Sequence, residues 1–236
     1  MSLMDPRDYL SRTKLVVPER AVREAQTKLW EVLDEARKAS IPATPHALGR
    51  LYSYKVPKLS ADGTCSLVDE LQATPYDLSD ALGGRGMRNT LALMVLSGFL
   101  EAAINHTQLD WLGVYQVRPR PSGTALVKLS AKGNPSRAEF PLTEDFAKRS
   151  NNVAVALSGS PRVISDVHQH AKAGGAYYEC DPKVRSEACV PLFGTDGAIV
   201  GIIDAEHSTV GAFDDEKLGW LVAIACETPN HLPPLS

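Results

Sequence analysis

Cys180 stands in a polar stretch behind Tyr177 and Tyr178, with Asp181, Lys183 and Arg185 just after it. Nearby cations favour a thiolate, the form of cysteine that attacks electrophiles. Glu187 follows seven residues later, at the start of an apolar run. Asp204 and Glu206 lie two apart inside another apolar run, Ala198 to Ala205 and just beyond. A two-residue spacing puts both carboxylates on one face of a strand. Crowded carboxyls raise one another's pKa, so one can stay protonated near neutrality and serve as an acid. Trp111 and Tyr115 would share a face of a third strand as a packing surface. Each feature has a plainer reading. A lone cysteine is most often structural, the two aromatics could be core, and Glu187 could be an exposed charge at a strand start. A metal site from His168, His170, Cys180 and Cys189 is disfavoured, because the cysteines are nine apart and no second close ligand pair accompanies the histidines. No metal and no cofactor is expected.

The elements that must hold these residues can be read from periodicity. Val22, Ala25, Leu29, Val32 and Ala36 form one apolar stripe, which predicts a helix over 18–40. From Ile41 to Leu82 the period is lost, which predicts a long connection wrapping the core. Gly83-Gly84-Arg85-Gly86 precedes a helix over 87–106 that is apolar on most sides and so belongs in a core or at a subunit interface. Next come strands over 111–117 and 124–129, joined by a hairpin. Short strands follow over 139–142 and 162–164, then a second hairpin over 188–205, turning at Gly194-Thr195-Asp196-Gly197. Asp214 caps a final helix, and the Pro-rich tail is expected to fray.

Composition sets outer limits. The 236 residues are 44% hydrophobic and 22% charged, ordinary for a folded domain. Lys+Arg 25 against Asp+Glu 28 leaves a net charge of −3, which argues against nucleic acid or an anionic membrane as partner. Four scattered cysteines point to a reducing compartment. No signal-peptide pattern follows Met4, Met1–Leu3 reads as a leader, and 91–104 is too short and interrupted to span a bilayer. The expectation is a cytoplasmic protein with no membrane partner.

Helix, hairpin, middle strand, hairpin, helix over about 87–227 resembles a GAF domain, as does Gly201-Ile202-Ile203-Asp204 followed by Gly211-Ala212-Phe213-Asp214. Within that superfamily the chain is most similar to the free methionine-(R)-sulfoxide reductases. Asp110-Trp111-Leu112-Gly113-Val114-Tyr115 resembles their Asn-Trp-Ala-Gly-Phe-Tyr, and Ser165-Asp166-Val167-His168 their Glu-Asp-Val-His. Cys180-Asp181 with Ser186-Glu187 resembles their Cys-Asp and Ser-Glu, and Asp204-Ala205-Glu206 their Asp-Ile-Asp. The resemblance implies an α+β fold with an antiparallel sheet flanked by helices over 87–236; residues 1–86 read as a helical and irregular extension with no counterpart in that family. It implies reduction of free methionine-(R)-sulfoxide, with Cys180 as nucleophile, Glu187, Asp204 and Glu206 handling protons and polar groups, and Trp111, Tyr115 and Asp181 binding substrate. A thiol reductant such as thioredoxin or glutathione is an implied partner, and the apolar helix around Leu91 to Ala103 points to a homodimer.

The chain departs from that family where a second, resolving cysteine is usual. Neither Ser136–Pro141 nor Ser150–Ala154 contains one. Cys189 or an external thiol would have to substitute. A ligand-binding module without catalysis, sensory or regulatory, or a dimerising interaction protein, are the alternatives.

Overall fold

The computed structural model describes residues 4–38, 45–60, 65 and 70–235. The chain runs α1 (Pro6–Thr13), α2 (Glu19–Lys38), α3 (Pro45–Tyr52), a short pair β1 (Ser53–Tyr54) and β2 (Tyr76–Asp77), α4 (Ser79–Leu82) and α5 (Met87–Thr107). It continues with β3 (Trp111–Arg120), β4 (Gly123–Lys132), β5 (Glu139–Pro141), α6 (Glu144–Ala147), α7 (Asn151–Ser158), β6 (Arg162–Ile164), α8 (Val167–Lys172), β7 (Ser186–Phe193), β8 (Ile199–His207) and α9 (Asp215–Glu227). A 3-10 turn over Thr228–His231 closes it.

Six strands form one antiparallel sheet in the order β5-β4-β3-β8-β7-β6. Both sheet faces are covered. On one side lie α2, α5 and α9, where Leu93, Leu96, Phe99 and Leu100 of α5 meet Leu29 of α2 and Leu221 of α9. α5 is long and apolar enough to cross a bilayer. Here it is the central core helix, which explains an apolar surface on most sides. The other face carries a second cluster of Trp111, Tyr115, Leu126, Phe140, Val153 and Ile202 beneath α6 and α7. Because side chains alternate along a strand, Leu112 and Val114 face the helices while Trp111 and Tyr115 face this second cluster.

The expected helix and strand positions hold, and Asp214 caps α9, accepting from the Lys217 amide at 2.9 Å. Three readings need correction. The connection over 41–82 contains two helices, α3 and α4, and the paired β1 and β2; residues 41–44, 61–64 and 66–69 of that stretch lie outside the described residues. The first hairpin is tighter than its Pro-Arg-Pro-Ser-Gly sequence implies, with β3 running through Pro119 to Arg120. Pro119 is tolerated because β8 pairs with β3 only as far as Gln116, leaving no ladder bond for the missing N–H. The tail is not frayed: Gln116 Nε2 donates to the Pro233 carbonyl at 2.9 Å, and buried Arg118 donates to the carbonyls of Ala81 and Pro234.

The first 86 residues contribute to the same core. Tyr9, Val22, Ala25, Leu29 and Tyr52 join the helix-side cluster, and the Tyr9 hydroxyl donates to the Pro191 carbonyl of β7 at 2.8 Å. Buried Glu227 of α9 accepts from Gln26 and Trp30 of α2.

Candidate redox site

Strand register assembles the carboxylates. Glu206 on β8 stands opposite Trp111 of β3 and Glu187 of β7, and Asp204 stands opposite Gly113 and Cys189. Glu187 and Asp204 are buried, while Glu206 sits partly exposed at the rim. Like charges directly across a strand pair repel, so this row is tenable only with protons retained or donors supplied. Both occur. Burial, then Asp204 and Glu206, push Glu187 well above the carboxylate range. Burial lifts Asp204 to about 6, held down by hydrogen bonds from Asn152 and from Glu187. Glu187 is therefore the member that keeps its proton more strongly, beside Asp204. Burial and Asp204 also raise Glu206.

The donors come from α7. Ser150 caps it, accepting from the Val153 amide, and Asn151 and Asn152 form its first turn. Asn151 Nδ2 donates to Glu187 Oε1 and Asn152 Nδ2 to Asp204 Oδ2, each at 2.8 Å. Three buried acceptors in this group, Oδ1 of Asn151, of Asn152 and of Asp204, have no partner. An unmet buried acceptor costs roughly 1–3 kcal/mol, so the cluster is built to receive donors from outside. Both asparagines are absent from the residues picked out by sequence. Their signal was a capping serine followed by two amides at the head of an otherwise apolar helix.

Trp111 and Tyr115 pack at 6.4 Å between ring centroids, and Tyr115 continues to Phe140 at 5.6 Å. The indole of Trp111 lies across Gly113 and donates to the Asn134 carbonyl at 3.0 Å. A Cβ on Gly113 would meet that indole at 2.3 Å. Gly113→Ala should therefore displace Trp111 and lower stability by about 1–3 kcal/mol; a melting temperature equal to wild type, with unchanged tryptophan fluorescence, would contradict this.

Cys180 is buried, with its sulfur 3.0 Å from Sγ of Cys65. Both thiols are free. Cys65 belongs to the segment between β1 and β2 and is bridged to Leu59. Sequence reasoning looked to Cys189 as the second thiol, but Cys189 is fully buried in the apolar cluster of Leu126, Val153 and Ile202. Cys65 carries no local motif; only the return of its segment to the sheet brings it here. The expected influence of Arg185 is also corrected, since its guanidinium turns to Asp166 at 3.6 Å. Cys65 is lowered to about 7, chiefly by the S–H bond from Cys180 and further by Tyr178, Arg137 and Lys128, against burial. Donating that bond, together with burial, raises Cys180. Of the two, Cys65 loses its proton the more readily, and Cys180 keeps its own in the bond between them.

Two cavities meet at Cys180. The inner one, about 10 Å³, is bounded by Tyr115, Asn151, Asn152, Glu187, Asp204 and Cys180. The outer one, about 310 Å³, opens to solvent beside Asp110, Asp181, Lys183 and Glu206. Asp181 accepts there from Asn134 Nδ2 at 2.8 Å. Trp111, Ser136, Cys180 and Glu206 border both. The other six residues singled out by sequence thus line the two cavities that meet at Cys180.

Residues 93–226 match the family model of the GAF domain. The chain belongs to the GAF domain family. The GAF fold seen here is shared with a type II free methionine-R-sulfoxide reductase from Thermoplasma acidophilum, at 20% identity over 61% of this chain and 94% of that one, with a TM-score of 0.52. Free methionine-R-sulfoxide reductase from Neisseria meningitidis, solved with its substrate, aligns at 22% identity over 61% of this chain and 84% of that chain, with a TM-score of 0.48. Among curated sequences, Protein ZMO0507 of Zymomonas mobilis is 34% identical over 63 residues, 27% of this chain; the match spans 37% of that protein. Cys65 lies outside the matched GAF residues.

Proposed function

We propose that this GAF protein reduces free methionine-(R)-sulfoxide, with Cys180 as nucleophile and Cys65 as the thiol that resolves it. The observation carrying the reading is two free thiols in contact, one of them bordering a buried cavity lined by carboxyls and unmet acceptors. In the resting pair Cys65 carries the thiolate charge; it takes the Cys180 proton as substrate engages, so that Cys180 reacts as the thiolate. That sulfur attacks the sulfoxide sulfur while the sulfoxide oxygen takes the Glu187 proton, and the S–O bond passes from substrate to enzyme. Methionine leaves, with sulfenic acid on Cys180. The Cys65 sulfur then displaces hydroxide, which leaves as water with a proton from the Cys65 thiol, and a disulfide forms. The proton first released by the thiol pair restores Glu187, so that two thiols and one sulfoxide yield one disulfide, one thioether and one water. A dithiol protein such as thioredoxin, or glutathione, would restore the thiols.

The unmet oxygens of Asn151, Asn152 and Asp204 suit the ammonium group of a free amino acid, and Trp111 and Tyr115 suit its apolar chain. Asp181 and Lys183 border the entry cavity. The test is methionine production from free methionine-(R)-sulfoxide with dithiothreitol, against Cys180→Ser; equal yields would refute the reading. A second reading, a ligand-binding module without turnover, draws on the same unmet buried acceptors around the inner cavity. That reading expects a ligand-dependent rise in melting temperature with no product.

A further inference from the structure

Lys128 is 3% exposed, an extreme for lysine. It stands opposite Tyr115 on the site face of the sheet. Its ammonium donates to the carbonyl and to Oγ of Ser136, each at 2.7 Å, and lies 4.8 Å from the Tyr54 ring centre. All of these are neutral. Among the described residues, no carboxylate comes within ion-pair distance of it. A buried cation without a counterion is costly and asks for an anion nearby. Ser136 borders both cavities alongside Cys180, so the residue that holds the ammonium is itself part of the wall of the thiol site.

The groups facing Lys128 leave few candidates for that anion. Tyr54 of β1 donates its hydroxyl to the Lys128 carbonyl, and burial keeps its phenol and that of Tyr115 of β3 protonated. Arg137 is a second cation, spent on the Glu139 carbonyl and the Tyr178 hydroxyl. Glu206 of β8 attracts Lys128 but is itself raised. There remain the thiols.

We propose that Lys128 is the charge partner of the Cys65–Cys180 pair, an ammonium held behind the thiols whose charge appears when one of them becomes a thiolate. Thiol and amine together are neutral, and so are thiolate and ammonium. A proton lost by sulfur and one gained by nitrogen therefore leave the buried charge at zero, avoiding the cost of either ion alone. Burial lowers Lys128 to about 7, opposed by Cys180, Cys65 and Glu206, which puts its titration in the range of the thiols. Lys128 acts through the sulfurs and is a positioning residue.

The inference concerns the thiols of the proposed reductase but rests on their contact alone. Alkylation by iodoacetamide, which needs no sulfoxide, keeps its failure distinct from failure of the reductase reading. Rates at Cys65 and Cys180 are followed from pH 5 to 10 by peptide mass spectrometry, in the full chain. In Lys128→Met the midpoint should move up by about one unit, slowing alkylation at pH 7 about tenfold while leaving the alkaline plateau intact. Lys128→Arg should keep the low midpoint, since it keeps the charge. A Lys128→Met midpoint equal to wild type, or loss of the low midpoint in Lys128→Arg as well, would overturn the proposal. Should Lys128→Met fail to fold, nitrogen NMR of Lys128 in wild type and Cys65→Ser decides. Removing the thiol must lower the lysine midpoint, by reciprocity of the coupling, and an unmoved midpoint overturns the proposal.

Discussion

Replacing Cys180 by serine is expected to lower sulfoxide reduction by about a thousandfold or more, because an alcohol supplies no thiolate at neutral pH and the oxygen acceptor is lost. Cys65→Ser should behave differently. Its Cys180 can still take the sulfoxide oxygen, so one equivalent of methionine forms in a single turnover, and sulfenic acid accumulates instead of a disulfide. Dithiothreitol, a small dithiol, can resolve that species directly, so the dithiothreitol-supported rate should fall far less than in Cys180→Ser. A reductant that requires a disulfide should lose nearly all its support. Intact mass distinguishes the outcomes: wild type loses two hydrogens per turnover, whereas Cys65→Ser gains one oxygen. A Cys65→Ser protein that still forms an intramolecular disulfide would overturn the assignment, leaving Cys189 or Cys226 as the only other thiols.

The second large effect concerns Glu187. Glu187→Gln keeps an oxygen to accept from Asn151 but removes the acidic proton, so turnover should fall about a hundredfold. Its stability should change in the opposite direction. Glu187 is raised well above its unfolded value, and Asp204 rises from 3.8 to about 6. Carboxyls raised in the native state bind more protons there than in the unfolded chain, so their stabilisation is complete below the unfolded pKa and is lost as pH rises through the folded one. For Asp204 that window is about pH 4 to 6, and it costs on the order of 2–3 kcal/mol by its upper end. Wild type should therefore melt several degrees lower at pH 7 than at pH 5. Glu187→Gln should flatten the slope and melt above wild type at pH 7, with little difference at pH 4. A wild-type melting temperature that rises from pH 5 to 7, or a variant no more stable at pH 7, would contradict the protonated-Glu187 arrangement. Such a trade of stability for a poised acid is common where carboxyls are crowded for chemistry.

Local signals made most of the framework readable. The apolar stripe of α2, the glycines ahead of α5, the Gly194–Gly197 turn and the Asp214 cap each act within a few residues, and each element lies where its signal put it. Asp204 and Glu206 share a face because strand side chains alternate, a property of spacing alone. The tail was misread because its anchors, Gln116 and Arg118, lie over a hundred residues away. Irregular composition over 41–82 concealed α3, whose tertiary packing outweighs weak local preference.

The sequence by itself determined the strongly periodic elements, α2, α5, α9 and the main strands, and which of their residues share a face, and it marked Cys180 and the carboxyls, since all of these depend on residue type and short spacing. Only the tertiary structure decided which faces meet. Register brought Glu187, Glu206 and Trp111 into one row, α7 delivered Asn151 and Asn152 above it, and Lys128 ended buried without a counterion. The decisive case is Cys65, 115 residues from Cys180, whose sulfur is 3.0 Å away. No periodicity spans such a distance, because the contact is made by closure of a long chain segment against the sheet, and that closure is driven by burial spread over the whole core.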